Sequence, residues 1–186
     1  MKFSNVLTIQ TSEVFSKQLR MKALLLIFFA FSKISYSQPG WIPQVSGVND
    51  TLRSVKFVNS STGFITGAHG RILKTTNAGL NWTALHSNTS LELFSIYFPN
   101  SSIGFACGDN GLIIKTTNEG NNWSMLKTTI ENKLRSITFV NESKGWCAGD
   151  SGLVVSTTNG GMNWSLQYLP VPVQLNGIHF ANERRG

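Results

Sequence analysis

One stretch of eight residues is written three times at constant spacing. Thr75-Thr76-Asn77-Ala78-Gly79-Leu80-Asn81-Trp82 recurs as Thr116-Thr117-Asn118-Glu119-Gly120-Asn121-Asn122-Trp123. It returns as Thr157-Thr158-Asn159-Gly160-Gly161-Met162-Asn163-Trp164, 41 residues on each time and without insertion. Another 41 residues back from Trp82 stands Trp41, so four of the five tryptophans share one register. A fixed period of about 40 residues marks stacked supersecondary units, a solenoid or a propeller.

The unit itself decides between these. Leu52 to Val58 alternates in polarity and is rich in β-formers, so it reads as a strand. Phe64 to Ala68, Arg71 to Thr75 and Trp82 to Leu85 read as three more. Asx residues and glycines separate them: Asn59-Ser60-Ser61-Thr62-Gly63, then Ala68-His69-Gly70, which recurs as Asp109-Asn110-Gly111 and Asp150-Ser151-Gly152. Such residues supply local hydrogen bonds and positive φ. The glycine series Gly63, Gly104, Gly145 and Gly186 is read as turn chemistry. Phe57, Phe98, Phe139 and Phe180, with Val55, Ile96, Ile137 and Ile178, are expected to fill the space between neighbouring units. Four short antiparallel strands in about 40 residues make one propeller blade. The expected fold is all-β: a partial β-propeller of three full blades, about 52–92, 93–133 and 134–174, with a partial unit at 175–186. Closed propellers have about four to eight blades. The remaining blades are therefore expected from a longer chain or from oligomer partners.

Thr-x-Asn-x-Gly-x-Asn-Trp resembles the Asp-box of the bacterial neuraminidase repeat, with asparagine in the aspartate position. Its residues, Thr75, Asn77, Gly79 and Trp82, Thr116, Asn118, Gly120 and Trp123, and Thr157, Asn159, Gly161 and Trp164, are read as a structural anchor rather than a ligand site. The asparagine oxygen accepts bonds from its own turn, glycine allows a left-handed backbone, and the indole covers the hairpin. The longer stretch 145–164 resembles the blade repeat of the photosystem II stability/assembly factor family. That resemblance implies a seven-bladed, non-catalytic propeller that binds other proteins.

Residues 1–37 are expected to be an N-terminal extension ending in a signal peptide. Met21-Lys22 precedes the apolar run Ala23 to Phe31, with Ser35 and Ser37 placed for cleavage before Gln38. Nine apolar residues are too few to span a bilayer, which takes about 20. An exported mature protein with no membrane span follows as the expectation. Of the formal charge of +7, only +3 falls after residue 37, too little and too scattered for nucleic acid.

Candidate chemistry is sparse. Asp109 and Asp150 share one turn position, while His69, His86 and His179 fall at three different ones, without metal-ligand spacing. Cys107 and Cys147 lie one residue off the repeat, so they are expected to point to opposite faces of equivalent strands in adjacent blades, an arrangement that allows the two faces to meet at one blade junction. Sheets about 10 Å apart favour two buried thiols over a bridge. Arg53 with Arg135, and Lys74 with Lys115, suggest a basic stripe broken at Phe94, Asn176 and Ser156, and are read as solvated strand edges. No catalytic set, metal site or cofactor motif is expected. The leading reading is a non-catalytic exported module that binds an unidentified protein or cell-surface partner. A sialidase- or glucanase-like Asp-box glycoside hydrolase, needing two suitably placed carboxyl groups, and a structural or adhesive segment are the alternatives.

Overall fold

In a computed structural model that describes residues 43–186, each repeat is one four-stranded antiparallel sheet. The signal-like segment and Trp41 lie outside the described residues. Blade 1 holds β1 (Leu52–Phe57), β2 (Gly63–Gly67), β3 (Ile72–Thr75) and β4 (Thr83–Leu85). Blade 2 holds β5 (Leu93–Tyr97), β6 (Gly104–Gly108), β7 (Ile113–Thr116) and β8 (Ser124–Met125). Blade 3 holds β9 (Leu134–Phe139), β10 (Gly145–Gly149), β11 (Leu153–Thr157) and β12 (Ser165–Tyr168). Strand order within every sheet is sequential, and β1, β5 and β9 are the strands by which consecutive blades approach one another. Among the described residues no helix is long and apolar enough to cross a membrane.

Two cores form, one at each blade junction. Phe98 stacks on Phe64 with ring centroids 4.4 Å apart, and Phe139 on Phe105 at 4.0 Å. Phe180 lies on Trp146 in the same way, at 3.8 Å. Cys107 and Cys147 are unbonded and buried in the second junction, where the Cys107 thiol lies 3.3 Å from the Leu134 carbonyl. Burial, reinforced by the neighbouring Cys107, pushes the Cys147 thiol well above its ordinary range.

Two expectations need correction. Gly63, Gly104 and Gly145 are not at positive φ. A Cβ at each, and at Gly186, would strike the ring of Phe57, Phe98, Phe139 or Phe180, so glycine is there to seat the aromatic ring rather than to turn the chain. The inter-unit positions also do not all fill inter-unit space. Phe98 and Phe139 are 5% and 2% exposed, but Phe57 is 42% exposed and Val55 is open as well. Among the described residues no preceding blade covers them.

The repeated box closes the loop between third and fourth strands. In blade 2 the Thr116 hydroxyl donates to Asn118 Oδ1 (3.0 Å) and accepts from Gly120 N–H (3.1 Å) and Asn118 N–H (3.3 Å). Asn118 Oδ1 also accepts from Asn122 N–H at 2.9 Å. The same bonds recur around Thr75 and Asn77, and around Thr157 and Asn159. All three threonines are buried. Gly120 has φ +77°, and a Cβ there would collide with Phe64 of blade 1, so this glycine serves both its own turn and the junction.

Phe139→Ala is expected to cost about 3–5 kcal/mol in denaturant titration, the range for a buried phenylalanine. Phe57→Ala, at the same repeat position but open to solvent, should cost well under half of that. Thr116→Val keeps shape but strips a buried hydroxyl from three bonds, and should cost about 1–3 kcal/mol in the same measurement.

Candidate binding surface

The strand register separates two ends of each blade. Leu52 pairs with Gly67 beside the β2–β3 turn, whereas Phe57 pairs with Gly63, which in turn pairs with Thr75 at the box. The box residues thus gather at one end, and the start of each inner strand lies at the other.

At the box end the lysines of the supposed stripe are not solvated edges. Lys74 Nζ donates to Glu119 C=O (2.7 Å) and Asn121 Oδ1 (3.3 Å) of the next blade while lying 5.5 Å over the Phe64 ring. Lys115 repeats this on Gly160 C=O (2.9 Å) and Phe105. Both clasp adjacent blades, and the cation rests on the ring that the junction buries.

At the opposite end, three side chains of one repeat position line up: Arg53, Phe94 and Arg135. Phe94 is half-buried. Arg53 Cζ lies 5.6 Å from its centroid, Arg135 Cζ 5.6 Å, and Lys133 Nζ 5.7 Å. Each cation has its own carboxylate. Arg135 donates to Asp150 within blade 3, Nε to Oδ1 at 2.5 Å and Nη2 to Oδ2 at 3.3 Å. Asp150 raises the pKa of that guanidinium further above its ordinary value.

Blade 2 has Phe94 where the arginine would stand, so Asp109 reaches instead to Lys133, the residue that leads into β9 of the next blade, at 3.0 Å. Blade 1 has Ala68 where the aspartate would stand, so Arg53 pairs with Glu92, the residue that leads into β5 of the next blade, at 3.2 Å. The result is a half-buried aromatic ring with three cations packed over it, each paired with its own carboxylate, and with two of the pairs reaching across a blade junction. It is not a free basic stripe.

Turn histidine His69 is exposed, at φ +56°, with its Nδ1 3.1 Å from Asp50. Hydrogen bonds from His69 and then Arg71 hold the Asp50 carboxyl below its usual range. His86 and His179 are exposed at separate places. Among the described residues no three His, Cys, Asp or Glu side chains are grouped to hold a metal.

The sequence named Phe94 only as an interruption, and it passed over Glu92 and Lys133 altogether. The usable signal was the paired break in repeat symmetry, arginine to phenylalanine at one position and alanine to aspartate at the other.

Residues 35–134, more than half of the chain, match the family model described as photosynthesis system II assembly factor YCF48. Among solved structures the chain is similar to YCF48 bound to a D1 peptide, with TM-score 0.60 and 19% identity over 68% of this chain and 46% of that one. It is similar to YCF48 from Cyanidioschyzon merolae, with TM-score 0.58 and 20% identity over 67% and 38%. A GH74 enzyme of Niastella koreensis is also similar, with TM-score 0.51 and 16% identity over 65% and 23%. The chain spans less than half the length of these structures. A search of curated proteins finds no match. At such identities the likeness to solved structures is one of fold, and it agrees with the three four-stranded blades. By the family match and by its blades, the chain belongs to the photosynthesis system II assembly factor YCF48 family of BNR-repeat β-propellers.

Proposed function

We propose that this chain is a non-catalytic propeller segment that holds a peptide stretch of a protein partner over the Phe94 collar. The observation that carries the reading is the collar itself, a half-buried aromatic ring with Arg53, Lys133 and Arg135 within 6 Å of its centroid, each tied to a carboxylate. An aromatic ring with guanidinium groups packed over it combines the residue types, aromatic and arginine, that dominate interface centres. Ion pairs to both signs fix the rim without a strong net field. Support also comes from a structural relative, YCF48, which is seen with a D1 peptide bound. Export through the 21–37 signal belongs to the same proposal and places the partner outside the cytoplasm.

The glycosidase reading is less well supported by the carboxylates present. A general acid needs a carboxyl held protonated by its surroundings. Asp50 is held below its ordinary range, the opposite of what that role requires, and Asp109, Asp150 and Glu92 are each paired with a cation of the collar. A panel of chromogenic glycosides is expected to give no turnover above the uncatalysed rate.

Peptides selected from a display library against the chain provide the binding test. Phe94→Ala should weaken them by about tenfold or more, as for a central interface anchor, without lowering the melting temperature as a core change would. Because the rim charges are already paired, raising salt from about 0.05 to 0.5 M should alter affinity only a few-fold. Selected peptides that all ignore Phe94→Ala would remove the collar from the reading.

A further inference from the structure

Consecutive blades meet a second time at the outer rim, where the linker leaving one blade passes the box of the next. Between blades 1 and 2 this gap is bridged from within. Asn88, at φ +62°, donates its side-chain amide to Trp123 C=O across 2.8 Å. A left-handed backbone is accessible to asparagine far more readily than to β-branched residues.

One repeat later Asn88 becomes Thr129 and Trp123 becomes Trp164. Threonine has no amide to offer, and Thr129 is not among the residues at positive φ. A groove of about 150 Å³ opens there, lined by Lys127, Thr129, Ile130, Asn163, Trp164 and Leu166. That is several times the room one water needs.

The two tryptophans also differ in their indole bonding. Trp123 Nε1–H donates to Gly120 C=O at 3.0 Å, whereas Trp164 Nε1–H is buried without an acceptor among the described residues. The second rim is therefore the less complete of two otherwise equivalent junctions.

We propose that this groove binds a carboxamide side chain, asparagine or glutamine, of a partner polypeptide. The first junction shows the occupant: a carboxamide whose N–H donates to the carbonyl of the box tryptophan. In the second junction the chain omits that group and leaves its space, with Ile130 and Leu166 as apolar walls for the methylenes that carry it. Lys127 and Asn163 add polar groups to the lining for the adjoining backbone. The groove is separate from the Phe94 collar, so either site stands if the other fails.

The test uses the full chain, ¹⁵N-labelled, titrated with N-acetylasparagine N-methylamide and with its leucine counterpart of similar shape. The Ser165 amide shares a peptide unit with Trp164 C=O, so its signal should move saturably with the asparagine compound alone. Thr129→Asn should weaken that response about fivefold or more, the worth of roughly one hydrogen bond, by filling the groove internally. Thr129→Ala, which keeps the groove open, should respond like the native chain and controls for folding. Equal movement with both compounds would mark a merely apolar cleft and overturn the proposal. So would movement confined to other residues, or an unchanged response in Thr129→Asn.

Discussion

The fold depends on one contact, the aromatic ring of one repeat position laid flat on an aromatic ring of the preceding blade. Phe98 on Phe64, Phe139 on Phe105 and Phe180 on Trp146 are the same event displaced by one repeat. Several otherwise separate features follow from it. The glycine that opens each second strand leaves room for the ring, and Gly120 brings its box turn down against Phe64. Lys74 and Lys115 then cap the stack and bind the next box by its carbonyl. A hydrophobic contact of this kind has no direction of its own, so glycine and lysine positions supply the register. Box, glycine and lysine therefore act as parts of one junction.

Repeat proteins of this kind derive stability from units plus nearest-neighbour interfaces. Positions that obey the repeat are accordingly used up by folding. The box shows this clearly: each asparagine oxygen accepts bonds from its own turn, and each threonine hydroxyl is spent three times over. Chemistry directed outward has to come from positions that break the repeat. Phe94 between two arginines, and Ala68 before two aspartates, are such positions. Their joint effect is to move two ion pairs from within a blade to across a junction, with their cations over one aromatic ring.

Most of the architecture was legible in the sequence because the 41-residue period repeats without slippage. Strand count, strand order and the two thiols in one junction core follow from alternation and turn residues. What was not legible has a physical cause in each case. The role of Gly63 and its equivalents could not be read locally, since the ring each accommodates stands six residues earlier, across the intervening turn. The exposure of Phe57 and Val55 depends on what lies against blade 1, which no residue of that blade encodes. Lys74 looked like a solvated charge because the carbonyl it binds is 45 residues further on. Charge pairing at the collar was hidden for the same reason: a count of basic residues cannot show that each cation meets its own carboxylate.

That pairing changes what kind of recognition the surface can support. Unpaired cations would draw any acidic chain from a distance and lose it as salt rises. Balanced pairs exert little long-range pull, so a ligand must be selected at contact, by what covers Phe94 and by which rim groups it satisfies. Moving a paired cation toward a ligand also strips its carboxylate, and this cost falls hardest on ligands that cannot replace the lost bond. Two of the pairs span blade junctions, so the rim holds its geometry only while the aromatic stacks hold theirs. Recognition at the collar is in this sense a property of the junctions, and a substitution deep in a stack should reach it without touching the surface.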